Sequence, residues 1–241
     1  MPSKTPQEEA TGGRAVPGRS EVDAFLQKVA ATPPPAKQAG ARGRLIFALD
    51  ATASRQPAWD RAMHLQGEMF QEAAKLGGLD VQLVFYRGFG ECKASRWHSE
   101  GAGLLRAMTA VTCLAGRTQI ARVLRHALKE TRKRKVDALV FVGDCMEENV
   151  DELGHLAGQL GLLGVPCFIF HEGQDAAARS AFEQMAKLSG GACCRFDPNS
   201  ARELRDLLSA VAVYASGGRQ ALADFSRERG GSVPQLTHQL R

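Results

Sequence analysis

The stretch "RLIFALDATASRQ", residues 44–56, runs from five apolar residues, 45–49, straight into Asp50, with hydroxyls following at Thr52 and Ser54. An uninterrupted apolar run of this length suits a strand covered on both faces, because successive side chains point into opposite hydrophobic layers. The carboxylate that closes it needs a reason. If the backbone stays extended through D-x-T-x-S, side-chain alternation sends Asp50, Thr52 and Ser54 to one side, and three oxygen donors converge.

Outward from this stretch, short apolar runs alternate with longer helical patterns. Candidate strands fall at 45–49, 81–86, 138–142, 165–170 and 192–196, with a poorer one at 95–98. Helical spacing covers 59–76, where Trp59, Met63, Gln66, Met69, Phe70 and Ala73 share a face and Gly77 and Gly78 supply a stop. Similar patterns cover 103–113, 119–132, 150–162, 176–188 and 201–215. This alternation predicts an α/β fold: a doubly wound, mainly parallel, Rossmann-like sheet with helices on both faces. Open sheets of this kind bind ligands at the carboxyl ends of their strands, where Asp50 falls.

The predicted domain spans 44–216. Residues 1–43 are rich in Pro, Gly, Ser and charge, and read as a mostly disordered arm. One island within it, 20–31, carries Val22, Phe25, Leu26 and Val29 at helical spacing behind a capping pattern of Ser20 and Asp23. It reads as a short docking helix, with Phe25 and Leu26 as its contacts to a partner or to this chain's own domain, before "ATPPPAK" makes a stiff spacer. Residues 217–241 read as a tail that carries little of the core.

Two further places match Asp50 and its hydroxyls. In "CLAGRTQIARVL", Thr118 follows a glycine-containing loop and precedes a helix; in "DALVFVGDCMEEN", an apolar strand ends in Asp144. Two carboxylates and three hydroxyls at one sheet edge suit a small hard cation, such as octahedral Mg²⁺. Capping of local turns and helices is the alternative for Ser54 and Thr118.

The order D-x-T-x-S, then a threonine entering a helix, then an aspartate ending a strand resembles the metal-ion-dependent adhesion site of von Willebrand factor type A domains, over residues 44–216. The resemblance implies a divalent ion, Mg²⁺ or Mn²⁺. Thr52 and Ser54 would be direct ligands, Thr118 direct or water-linked, and Asp50 and Asp144 mainly anchors through water. Thr52 stands where the pattern usually has serine, and Cys145 where glycine usually follows the aspartate.

The resemblance further implies a protein-interaction module and not an enzyme. A carboxylate from a partner's Asp or Glu would fill the exchangeable position on the ion. Arg55 and Arg117, close to the proposed ligands in sequence, would steer such an acidic partner, with an ordinary solvated role as the alternative. Glu147 and Glu148 read as exposed charges, with completion or shielding of the site as the alternative.

Competing classes have weaker support. Asp50 and "VGDCMEE" also resemble the haloacid dehalogenase superfamily, with Asp50 as a phosphoryl-accepting nucleophile beside Mg²⁺, but Thr52 replaces the acid expected two positions later. "KETRKRK", residues 129–135, is a dense basic run that would serve a metal-free nucleic-acid scaffold. It lacks aromatics for stacking bases and reads better as a solvated helix end. No phosphate loop, dinucleotide loop or zinc motif occurs.

Composition sets outer bounds. In 241 residues, 44% hydrophobic content supports a real core, and the net charge of +5 is too modest to name a partner. No apolar run approaches the roughly 20 residues of a membrane span. Residues 1–20 lack the apolar core of a secretory signal. The six cysteines show no C-x-x-C pair, as expected for free thiols in a reducing compartment. A cytoplasmic protein is expected.

Overall fold

The computed structural model describes residues 18–32, 42–74, 78–196 and 201–228. Six strands, β1 (Gly43–Asp50), β2 (Leu79–Arg87), β3 (Glu91–His98), β4 (Ala138–Gly143), β5 (Cys167–Glu172) and β6 (Ala192–Phe196), form one sheet in the order β3-β2-β1-β4-β5-β6. All neighbours are parallel except β2 and β3, which make an antiparallel hairpin. The helices are α1 (Gly18–Ala31), α2 (Gln56–Ala74), α3 (Gly101–Thr109), α4 (Ile120–Lys133), α5 (Val150–Leu162), α6 (Ala176–Ser189) and α7 (Ala201–Glu228).

The apolar runs become strands because both faces of the sheet are covered. Phe47, Leu49, Val140, Phe168 and Phe170 pack beneath the layer of α1, α2, α3 and α7, while Ile46, Ala48, Phe141 and Ile169 pack beneath α4, α5 and α6. All eight positions of β1 are buried, so its sequence cannot alternate. Strand β3 is the exception: as the sheet's outer strand it leaves most side chains at least partly exposed, and its sequence is correspondingly polar. From β1 the chain winds one way to β2 and β3, then crosses to β4 and winds the other way. The order therefore reverses between β1 and β4, where Asp50 and Asp144 sit.

Element boundaries depart from the sequence expectations in several places: β3 already starts at Glu91, and α3 ends at Thr109. Helix α7 does not stop near 215: it continues to Glu228 across a kink at Gly218 (φ 72°), and Leu222 is fully buried in the core. Part of the stretch read as a tail therefore belongs to the domain. Helix α2 ends at Ala74, and 75–77, with the expected stop at Gly77, lie outside the described residues. Trp59 is buried as expected and Met63 packs against the core. The side chains of Gln66, Met69, Phe70 and Ala73 lie outside the described ones.

Helix α1 is the island foreseen in the arm. It packs against β6 and α7. Phe25, only 1% exposed, meets the rings of Phe168 and Phe170 edge-on at centroid distances of 6.1 and 5.3 Å. Phe25 is thus a core residue of this chain and not a surface contact for another protein; the side chain of Leu26 lies outside the described ones. Phe25→Ala is expected to destabilise the protein by up to about 3 kcal/mol, the low end for phenylalanine truncation, because α1 can undock before the sheet unfolds. Denaturant melts combined with limited proteolysis check this. Unchanged stability and unchanged cleavage would show that α1 contributes nothing to the fold.

Candidate metal centre

The site is built where β1 and β4 end. Asp50, 2% exposed, closes β1, and its Oδ1 accepts a hydrogen bond from the Thr52 amide at 2.7 Å. This Asx turn gives the backbone an alternative to the sheet ladder and stops the strand. Thr52 is still extended (φ −72°, ψ 164°), but Ala53–Arg55 forms a 3₁₀ turn. The hydroxyls therefore converge through a tight turn and not through continued alternation. Thr52 Oγ1 and Ser54 Oγ lie 3.5 Å apart, and Ser54 Oγ donates to Asp144 Oδ2 at 3.2 Å. Among the described residues, Asp50 Oδ2 and Asp144 Oδ1 are buried with no hydrogen-bond partner.

Thr118 joins this cluster indirectly. Its amide donates to Glu147 Oε2 at 3.2 Å and its Oγ1 accepts from the Glu147 amide at 3.1 Å, tying the loop before α4 to the loop that follows Asp144. Glu148 accepts from the amides of Ile120 and Ala121, placing a carboxylate at the positive end of α4. Glu147 and Glu148 are therefore loop clamps; Glu147 is exposed as expected, whereas Glu148 is half-buried. Neither hydroxyl acts as the helix cap considered for it: Ser54 bonds Asp144 and Thr118 bonds Glu147.

Arg55 is the largest departure from expectation. It is 3% exposed, its guanidinium lies 3.8 Å from Asp144 Oδ2 and it pairs directly with Glu172. Arg61 reaches the other oxygen of Glu172 at 3.5 Å. Arg55 is thus an internal counter-charge and not a surface group that steers a partner. Arg117 is exposed on the loop before α4, its amide bonded to Gly88 O at 3.1 Å. That loop approaches the β2–β3 turn so closely that a side chain at Gly116 would meet the Gly88 backbone. At the tip of the same turn Phe89 is 83% exposed, and Leu114, whose amide bonds Ala51 O at 3.0 Å, is also exposed.

The charges around the cluster shape its chemistry. Burial pushes the Asp50 carboxyl up from its ordinary range, against the opposing pull of its Thr52 hydrogen bonds. Tyr86, paired with Asp50 across β1 and β2, is held protonated by burial first and then by the Asp50 charge. Burial and the charges of Asp144 and Asp50 push the Cys145 thiol up to about 12, so it is no ready nucleophile. The ligand atoms of Asp50, Asp144 and Cys145 all lie within 4.8 Å of one another.

Two unpaired carboxylate oxygens beside two hydroxyls form a donor set that fits a divalent cation. Asp50, Thr52, Ser54 and Asp144 would hold it, with Thr118 carried alongside by Glu147. Bound there, the ion would supply an electrophilic position open to an incoming oxygen ligand. Sequence reasoning missed Glu172, Arg61 and Tyr86. Glu172 had a signal, since "CFIFHE" is another apolar strand ending in a carboxylate at the same edge of the sheet.

The chain has the von Willebrand factor type A fold. The "SpRpn10 VWA domain" has a TM-score of 0.56 at 15% identity, covering 74% of this chain and 98% of that one. An aerotolerance-related membrane protein from Bacteroides fragilis gives 0.54 at 13% identity, covering 70% and 98%. Proximal thread matrix protein 1 from the mussel byssus, solved with a zinc-occupied MIDAS motif, gives 0.54 at 15% identity, covering 71% of this chain and 46% of that one. No protein-family model matches the chain, and no match is found among curated proteins.

Proposed function

We propose that this chain is a divalent-metal-dependent protein-interaction module that binds an Asp or Glu side chain of a partner at the switch point of its sheet. The observation that carries this is the convergence of the unpaired Asp50 Oδ2 and Asp144 Oδ1 with the Thr52 and Ser54 hydroxyls. A dication held largely by neutral hydroxyls and by carboxylates shared with Arg55 keeps enough charge to take a partner's carboxylate. Exposed Phe89, Leu114 and Arg117 on the neighbouring loops offer apolar and cationic contacts around that carboxylate. Mg²⁺ or Mn²⁺ is the expected ion on the oxygen donors alone.

Binding is preferred to catalysis. Asp50 is buried with one oxygen engaged in its turn, an arrangement poorly suited to accepting a phosphoryl group in line. The setting we infer is assembly or regulation of an intracellular complex, which the free thiols of Cys92, Cys113, Cys145 and Cys167 support. Among the described residues no helix is long and apolar enough to cross a membrane.

Calorimetric titration of EDTA-treated protein with MgCl₂ and MnCl₂ tests the ion, beside a folded Asp50→Ala, Ser54→Ala variant. Saturable one-to-one binding that the variant lacks is expected. Proteins captured in MgCl₂ or MnCl₂, released by EDTA and not retained by the variant would be the partners. Binding that survives the double substitution would sink the proposal, and phosphate-ester turnover lost on Asp50→Asn would replace it with a hydrolase.

A further inference from the structure

The loop after β4 brings a sulfur to a site otherwise made of oxygen. Cys145 follows Asp144 directly, and its Sγ lies with carboxylate oxygens of Asp50 and Asp144 in a group no more than 4.8 Å across. The carboxylates are not committed elsewhere: Asp50 Oδ2 and Asp144 Oδ1 are buried without a hydrogen-bond partner among the described residues. Just beyond the cysteine, the loop is clamped by Glu147 to Thr118 and by Glu148 to the start of α4, which limits how far the thiol can move away.

Oxygen donors alone make a hard site suited to Mg²⁺, whereas a thiolate is a soft ligand that favours the zinc class. We propose that Cys145 is a direct ligand of this centre and biases it towards thiophilic divalent ions, Zn²⁺ over Mg²⁺. The inference rests on the reading above that these loops hold a divalent ion, and deepens it by naming the ion's class. On binding, the S–H proton leaves to solvent and the sulfur pair forms the metal–sulfur bond, since a coordinating thiol is deprotonated outright. The partner's carboxylate would still complete the coordination, taking the position that the chain's own donors leave open.

Titration of EDTA-treated full-length protein with CoCl₂, ZnCl₂ and MgCl₂, followed by absorbance and calorimetry, separates the possibilities. The expected result is a near-ultraviolet thiolate-to-cobalt charge-transfer band that saturates at one equivalent and is displaced by ZnCl₂. A folded Cys145→Ser variant is expected to lose the band and to bind Zn²⁺ at least about tenfold more weakly, so that its preference for Zn²⁺ over Mg²⁺ falls. If Co²⁺ and Mg²⁺ bind but no such band forms, or the band persists in Cys145→Ser, the cysteine assignment is overturned and the metal centre stands on its oxygens. If no ion binds the folded wild type, the metal-dependent function falls with it.

Discussion

Replacing Asp50 by asparagine is expected to leave the metal-stripped protein at least as stable as wild type at pH 7, and to abolish the stabilisation that a bound divalent ion brings. Burial is the main reason its carboxyl is raised above the ordinary range. A group raised in the folded state favours folding below the unfolded carboxylate pKa, and that contribution is lost as pH rises through the folded pKa. At pH 7 the ionised Asp50 therefore opposes folding in the absence of an ion. Asparagine keeps an oxygen for the Thr52 amide and removes the buried charge.

With an ion bound the sign reverses. At a hundredfold excess over Kd, a ligand specific to the folded state adds about 2.7 kcal/mol, and the variant should gain none of it. Denaturant melts of both proteins in EDTA and in MgCl₂ or ZnCl₂ give the comparison directly. The gain in wild type should shrink on acidification, as protons compete for Asp50. A variant that melts well below wild type in EDTA would make Asp50 a structural group, and one that retains the gain would place the ion elsewhere.

Arg55→Ala is expected to cost about 3–5 kcal/mol, the range for removing one partner of a buried ion pair. The guanidinium is almost wholly enclosed and counters both Asp144 and Glu172, so its loss takes a counter-charge from two carboxylates. Arg61 retains a contact with Glu172 and keeps the loss towards the lower end. Arg55→Ala combined with Glu172→Ala should recover part of the loss, and the double-mutant cycle isolates the pair. Freed from its counter-charge, Asp144 should bind the ion more tightly even as the fold weakens. A stability change within about 0.5 kcal/mol, typical of surface substitutions, would restore Arg55 to the role of a solvent-facing group.

The fold was legible because burial leaves a local signature. Strands covered on both faces must be continuously apolar, so β1, β4 and β5 stand out in the chain, while outer strand β3 is mixed and only its second half was found. Periodicity marked α4, α5 and α6 closely, but α7 runs past a kinked Gly218 where the pattern weakens and its length was underestimated. The candidate ligands Asp50, Thr52, Ser54 and Asp144 could be named because each sits within a few residues of a strand end, and strand ends at a switch point are neighbours by topology.

The partners of those residues had no such signature. Arg55 reads like any surface arginine until β5 delivers Glu172 beside it, and Phe25 reads like a docking residue until Phe168 and Phe170 enclose it. Local sequence carries the period of an element and the side chain at its end, which is why strands, helices and metal-ligand candidates were visible in it. Whether a charge is buried and paired, or an apolar face already covered, depends on groups from distant segments. For Arg55 and Phe25, packing of the sheet and its helices settled that question.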